Sequence, residues 1–331
     1  MKPKIIYLFR SPEKGGNSIE EIFFRLSEHP QPGLIKQNFY LSSPARLIHL
    51  FRLRPQLLHL TGDIYPYTLP LAFIAPVMLT LHDIGRYKEL KGWKKWVYGL
   101  FWLQLPLLFA SRVTVVSEYT KIDVSKYFKI RSSKIMVVPN PYPASFQPRP
   151  KAFNAHCPHI LQVGTAVHKN FENLVLALQG INCKLLVLGK VSAAQALLLN
   201  KCGSNYETFS GITYSQVYEL YQQCDVVAFV SKHEGFGMPI IEAQAVGRPV
   251  LTSRCCSLPE VGGLGASYVN NPEDPLEIKL RIQELLENSE LREQLIAEGF
   301  KNLARFNTEV VAAQYHRLYA DVLGINSFDA Y

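Results

Sequence analysis

No run in the 331-residue sequence is long and apolar enough to span a bilayer; the longest, Trp96 to Ala110, is interrupted by Gln104 and Pro106 and falls short of the ~20 residues a spanning helix needs. Cysteine is sparse and unpatterned. Cys157, Cys183, Cys202, Cys224, Cys255 and Cys256 form no CxxC pair and no even ladder, which argues against a zinc ribbon or a disulfide scaffold and for buried reduced thiols in a cytoplasmic protein. The first apolar run is followed by Arg10-Ser11-Pro12-Glu13-Lys14-Gly15-Gly16, not by the G-x-G-x-x-G of a dinucleotide fingerprint. Short repeats, low-complexity tracts and nucleic-acid recognition motifs are also missing. The opening Met1-Lys2-Pro3-Lys4-Ile5-Ile6-Tyr7-Leu8-Phe9 lacks the long h-region and small-residue cleavage site of a signal peptide, and a first β-strand is expected there.

What is present is a globular composition, 48% hydrophobic and 19% charged, in a chain long enough for two domains of ordinary size. The net charge of +8 is unevenly placed: residues 1–150 hold 21 Lys+Arg against 9 Asp+Glu, and residues 151–331 hold 14 against 18. Such asymmetry suits an anionic partner for the first half, or simply a solvated basic surface.

Apolar runs alternate with helical periodicity almost throughout. Strands are expected at Lys4–Phe9, Leu34–Tyr40, Leu57–Thr61, Val77–His82, Val113–Ser117 and Ile135–Pro139, with helices such as Ser18–Ser27, Pro44–Leu53, Trp93–Phe109 and Thr120–Tyr127 between them. Pro139, Pro141, Pro143, Pro148 and Pro150 then mark a linker. The rhythm restarts at His159–Val163, Lys184–Leu188, Glu207–Ser210, Asp225–Val230, Pro249–Thr252 and Ala266–Val269, and helices Leu276–Glu287 and Leu291–Leu323, broken near Phe306-Asn307-Thr308, close the chain. Strand runs that are continuous rather than alternating belong to parallel sheets covered on both faces. The expected fold is therefore α/β, with two Rossmann-like domains, 1–145 and 151–306, a ligand cleft between them, and a C-terminal helix at 307–331 crossing back to the first.

The most informative stretch is Cys224-Asp225-Val226-Val227-Ala228-Phe229-Val230-Ser231-Lys232-His233-Glu234-Gly235-Phe236-Gly237-Met238-Pro239-Ile240-Ile241-Glu242-Ala243. A buried strand runs into a loop with two glycines, and a helix then opens near Pro239, where a missing N–H costs nothing. Gly235 and Gly237 allow close backbone approach, and the N–H groups of a helix start favour a phosphate. Glu234 is expected in the loop and Glu242 in the first helical turn, so that two hydrogen-bond acceptors flank a phosphorylated, hydroxyl-bearing ligand.

This segment resembles the signature of the retaining glycosyltransferases of family 4 (glycosyl transferases group 1), which have the GT-B fold. Gly15-Gly16-Asn17, His82-Asp83, Val116-Ser117-Glu118, Val138-Pro139-Asn140-Pro141, Val163-Gly164-Thr165 with Lys169-Asn170, Ser210-Gly211 and Ser257-Leu258-Pro259-Glu260-Val261 match in order around it. The resemblance implies transfer of a hexosyl unit from a UDP- or GDP-linked sugar to the hydroxyl of a lipid-linked or oligosaccharide acceptor, in bacterial cell-surface polysaccharide or glycolipid synthesis. It implies Glu234, His82 and Lys169 as catalytic groups: Glu234 on the transferred sugar, Lys169 on the departing diphosphate, His82 on the donor sugar or the reacting centre. Gly16, Thr165, Gly211, Ile212, Gly235, Phe236, Gly237, Met238 and Glu242 would bind the nucleotide-sugar, with Glu242 on the ribose and Gly211 to Tyr214 around the base. No cofactor is implied, and since no Asp-x-Asp triplet occurs no metal is expected. Where the family often has an arginine near the lysine, this sequence has Thr165 and His168.

Lys88-Glu89-Leu90-Lys91-Gly92-Trp93-Lys94-Lys95-Trp96, ahead of an apolar run, suits contact with an anionic membrane surface at its inner face, or a core helix with a basic solvent edge. The rival functions are an NAD(P)-dependent Rossmann oxidoreductase and a non-catalytic protein that binds nucleotide; nucleic acid is not an expected partner.

Overall fold

Runs rich in β-branched and aliphatic residues become the inner strands of two sheets, and three of the four edge strands are runs of mixed polarity. The computed structural model describes residues 3–10, 18–30, 33–41 and 46–325. These residues form two six-stranded sheets, parallel throughout. One unit comprises Met1–Pro141 with Thr308–Tyr331, and the other Tyr142–Asn307.

In the first unit the strands are β1 (Lys4–Phe9), β2 (Ile35–Tyr40), β3 (Leu57–Leu60), β4 (Val77–Leu81), β5 (Arg112–Val115) and β6 (Ile135–Val137), in the order β2-β1-β3-β4-β5-β6. This flavodoxin-like winding differs from the classic dinucleotide order but is doubly wound in the same sense. Inner strands β3 and β4 are buried at every residue, whereas edge strand β2, with Lys36, Gln37 and Asn38, is largely half-exposed. In the second unit β7 (His159–Val163), β8 (Lys184–Leu188), β9 (Asn205–Phe209), β10 (Val226–Phe229), β11 (Val250–Ser253) and β12 (Ser267–Val269) run β12-β11-β10-β7-β8-β9. That is the dinucleotide-fold order. Cys183 and Cys224 are buried as expected, but the other four cysteines are only half-buried, because they lie in loops and helix ends at the sheet margins.

A polar ladder crosses the otherwise apolar first sheet. Tyr7, His59, Thr80 and Thr114 come from β1, β3, β4 and β5, and all are buried. His59 Nε2 lies 2.7 Å from Thr80 Oγ1, which lies 2.7 Å from Thr114 Oγ1; His59 Nδ1 lies 2.8 Å from the Tyr319 hydroxyl, which donates to Tyr7 Oη at 2.8 Å. Tyr319 and the neighbouring Tyr315 belong to the C-terminal helix Thr308–Leu323, which therefore docks on this sheet through a satisfied polar network as well as apolar contact. Arg112 adds an outer clamp, its guanidinium 2.7 Å from the Asp321 carboxylate.

Burial lowers the His59 pKa to about 3, with His82 as the secondary cause. A histidine held neutral in the fold protonates first in the unfolded chain, so its contribution to stability is intact above about 6.5 and is lost as pH falls from there towards 3. Tyr319→Phe is expected to cost about 1–3 kcal/mol by stranding His59 and Tyr7, read as a lower urea midpoint. His59→Asn should flatten the acid-side pH dependence of the wild-type midpoint; an unchanged slope would remove His59 from that role.

Candidate active site

In the second unit the strand order reverses between β7 and β10. The chain leaves these neighbouring strands towards opposite faces, so their carboxyl ends are left uncovered, the usual ligand position in such sheets. The loop after β7 carries Lys169, and the loop after β10 carries Glu234. They meet: Lys169 Nζ lies 2.7 Å from Glu234 Oε1, and the ammonium also sits 4.8 Å from the centroid of the Phe229 ring.

Local backbone chemistry explains how Lys169 reaches that position. Lys169 ends a 3₁₀ turn, Val167–Lys169, and the next residue, Asn170, is left-handed at φ 60°. Asn170 is buried and its side-chain amide donates to the carbonyls of Val230 (3.0 Å) and Pro272, tying this turn to the end of β10. The Gln162 amide donates to the Gly164 and Lys169 carbonyls at 2.9 and 3.2 Å, and Lys232 N–H donates to His168 O at 2.8 Å. Gly164, at φ 90°, leaves room for the lysine stem: a Cβ there would lie 2.9 Å from Lys169 Cγ. Thr165 donates its hydroxyl to Lys190 O at 2.7 Å, which pins the same loop to the end of β8. His168 contributes its backbone carbonyl here.

The loop from Val230 to Gly237 is held from beneath by Ser257, whose buried hydroxyl lies 3.0 Å from Glu234 O and 2.8 Å from Phe236 O and shares one hydrogen between them. Gly235 and Phe236 are buried, and the Phe236 ring meets Phe306 edge to face at 5.7 Å. Gly237 is required at φ 113°, and a Cβ there would press within 2.8 Å of Leu258. Helix Met238–Val246 begins immediately after it, with Pro239 second and no side-chain cap at Gly237. Glu242 is consequently the fifth helical residue and opens the second turn, a correction to its expected place in the first; the left-handed Gly237 starts the helix early, ahead of Pro239.

At that position Glu242 lies inside the unit. It is 7% exposed, with Oε2 accepting from Tyr221 at 2.6 Å and Oε1 from Tyr214 at 3.2 Å. Burial raises the Glu242 pKa, opposed by the Tyr221 and Tyr214 phenols and by the positive charge of Lys169. Both tyrosines come from helix Tyr214–Gln223, which Thr213 and Gln216 start with a reciprocal capping box. Gly211, at φ 67°, and Ile212 form the approach to that helix. The second unit therefore pairs Lys169 with Glu234 and sets the Tyr214 and Tyr221 phenols on Glu242.

His82 belongs to the first unit. It follows β4, and its Nε2–H donates to Thr61 O at 2.9 Å, an assignment forced by the carbonyl, which can only accept. Its pKa is lowered, chiefly by burial. Gly16 lies outside the described residues. Sequence alone places Tyr214 beside the base but does not reveal that the Tyr214 and Tyr221 phenols reach Glu242, nor the role of the Ser257 hydroxyl. The available signal was the seven-residue spacing of the tyrosines, which places them on one helix face.

Two family models match the chain: one described as Glycosyltransferase Family 4 over residues 5–146, the other as Glycosyl transferases group 1 over residues 144–302. An uncharacterized glycosyltransferase of Methanocaldococcus jannaschii is 25% identical over 75% of this chain and 69% of its own length. The O-antigen chain mannosyltransferase RfbU of Salmonella typhimurium is 28% identical over 63% of this chain, which spans 60% of that relative's length. Among solved structures, Anabaena HepE in complex with UDP and glucose superposes with a TM-score of 0.75 at 14% identity, over 96% of this chain and 99% of that one. Likeness at that identity is a likeness of fold.

Tyr221→Phe removes the shorter bond to a buried carboxylate and should cost about 1.5–3 kcal/mol by chemical denaturation; Tyr214→Phe, at the longer bond, should cost less. Because the Glu242 pKa is raised in the fold, its share of stability is present below its unfolded value and is lost as pH rises through the folded one. The Tyr221→Phe penalty should therefore be greater near neutral pH than at about pH 4. A pH-independent penalty would mean that the phenol does not support the charged form.

Proposed function

This chain belongs to the glycosyl transferases group 1 family and has the GT-B fold, and from that premise we propose that it is a retaining hexosyltransferase using a nucleoside-diphosphate sugar as donor. The observation that carries the proposal is the 2.7 Å pairing of Lys169 with Glu234 where the strand order reverses, beside an uncapped helix start. A cation, a helix N-terminus and a carboxylate side by side suit a diphosphate joined to a polyhydroxylated ring.

Each group then has a chemical task. The bond between the anomeric carbon and the diphosphate oxygen breaks, and the electron pair leaves with the diphosphate. Lys169 and the start of helix Met238–Val246 stabilise that developing charge. When the diphosphate draws Lys169 away, Glu234 is released to accept hydrogen bonds from the sugar hydroxyls. The acceptor hydroxyl attacks on the face that the leaving group vacates, which retains the anomeric configuration, and its proton passes to the departing phosphate oxygen. Glu242, already oriented by Tyr214 and Tyr221, offers its remaining lone pairs to the ribose hydroxyls, and Gly211 and Ile212 border the base. His82 is neutral at physiological pH, so it acts on the sugar as a hydrogen-bonding group and not as a fixed charge.

The name of RfbU supports a mannosyl-type sugar and a cell-surface glycan as product, and the UDP and glucose bound to HepE support a nucleotide-sugar donor. An acceptor that is lipid-linked or an oligosaccharide fits that product class, and no metal or further cofactor is required by the chemistry as written. The oxidoreductase alternative has no comparable support.

Thermal-shift screening with UDP-, GDP-, ADP- and dTDP-sugars tests the donor class; a site-specific donor raises the midpoint in a concentration-dependent way, and no shift with any of them would overturn the proposal. Lys169→Ala and Glu234→Ala should each lower transfer about 10²–10³-fold while moving the thermal transition only slightly. Gly164→Ala, which crowds the Lys169 stem, should lower transfer to a similar extent without removing a charged group. Wild-type turnover by the first two variants would refute their roles.

A further inference from the structure

In the first unit, residues Gly92 to Phe109 form one continuous helical rod with a π-helical middle: α over Gly92–Tyr98, π over Gly99–Gln104, α again over Leu105–Phe109. The Leu105 amide bonds back to Leu100 O, and Pro106, which has no N–H to give the preceding turn, follows directly. The widening has a geometric consequence. In a purely α-helical rod, Phe101 and Phe109 would point about 80° and about 160° away from Trp93. A π residue advances the chain less than an α residue, and six of them set the last segment back by roughly one residue step, about 100°.

That correction brings scattered apolar side chains into a single stripe. Gly99, Leu103 and Leu107, four apart, are all buried, and Gly99 is packed so closely on Tyr87 that a Cβ would lie 2.8 Å from the ring. On the other side Trp93 (72% exposed), Trp96 (67%), Phe101, Leu108 and Phe109 all face solvent. Phe73, 80% exposed, follows the short helix Thr68–Leu71 that packs against Leu105–Phe109.

The flanks of the stripe are basic. Lys91 and Lys94 are exposed at its start, and Lys95 sits over the Tyr87 ring at 4.8 Å. Gln104 exchanges hydrogen bonds with the backbone of Lys129, and Lys134 Nζ donates to Leu108 O at 2.6 Å, which holds the exposed Lys129 and Arg131 alongside the second half of the rod. No helix of the described residues is long and apolar enough to cross a membrane. An apolar stripe edged by cations is complementary to a surface that is apolar beneath and anionic at its face.

We infer that the π-registered face of Gly92–Phe109 is a docking surface for an anionic lipid bilayer, with the rod lying in the interface, its aromatic side chains inserted and Lys91, Lys94, Lys129 and Arg131 on the headgroups. This inference stands apart from the sugar-transfer proposal. It selects the membrane contact over the core-helix reading of the same segment, because Trp93 and Trp96 are exposed.

The three tryptophans of the chain, Trp93, Trp96 and Trp102, all lie on this rod, so intrinsic fluorescence reports on it directly. The 331-residue chain is mixed, without donor, with vesicles of phosphatidylcholine alone or with one-third phosphatidylglycerol. With the anionic vesicles at low salt the protein should float, and its emission should move to the blue; with neutral vesicles or high salt both effects should shrink. Lys94→Glu with Lys129→Glu and Arg131→Glu should weaken partitioning more than tenfold, and Trp96→Glu with Phe101→Glu should abolish it, each variant keeping the wild-type melting curve. Failure of the wild type to bind anionic vesicles, or equal binding by the charge-reversed variant, would overturn the inference. So would a lipid-free dimer that Trp96→Glu with Phe101→Glu converts to monomer, since the face would then belong to a second copy.

Discussion

A sheet whose strand order reverses cannot cover the carboxyl ends of the two strands at the reversal. In the second unit those strands are β7 and β10, and the site exists because of that constraint. Lys169 and Glu234 are 65 residues apart in sequence, yet each lies in the loop that leaves one of the two strands, and the 2.7 Å contact follows. Much of the neighbouring chemistry supports these two loops: Asn170 joins the turn of one to the carbonyl of Val230, Ser257 holds the carbonyls of Glu234 and Phe236, and Gly164 makes space for the lysine stem. The charged groups are thus positioned largely by neutral ones.

Glu242 shows a different solution to placing a carboxylate. It is buried, which alone would favour its protonated form, and two phenols and the field of Lys169 work against that. A carboxylate whose two oxygens already accept hydrogen bonds is fixed in orientation but has lone pairs to spare. Such a group can receive ligand hydroxyls without reorganising, which is what a binding site gains from preorganisation.

The first unit applies the same economy to its fold. The C-terminal helix Thr308–Leu323 is grouped with residues some 200 to 300 positions earlier, and the hydroxyl of Tyr319 links it to both His59 and Tyr7. A polar ladder inside a sheet is costly if any member is unsatisfied, so it favours one placement of the helix over the neighbouring registers. The Gly92–Phe109 rod uses irregularity in place of hydrogen bonding: Pro106 and the π turn beside it rotate the last segment until its apolar side chains align with those of the first.

The twelve strands, their parallel character, the proline-rich junction and the Glu234–Glu242 segment were all legible in the residues, because continuous apolar runs, proline and glycine act locally and leave local marks. Glu234 and Glu242 could be singled out for the same reason, since they sit beside glycines and a helix start, whereas Lys169 was marked by the family resemblance. Tertiary structure alone decided the two different strand orders, the phenols on Glu242, the position of Glu242 in its helix, the Tyr319–His59–Thr80 ladder and the π register that turns Trp93, Trp96 and Phe101 the same way. Each of these depends on partners far apart in the chain or on small rotations summed over many residues. Neither is written in any short stretch of sequence, since a side chain's partner is chosen by where the backbone brings it and not by its neighbours in the chain.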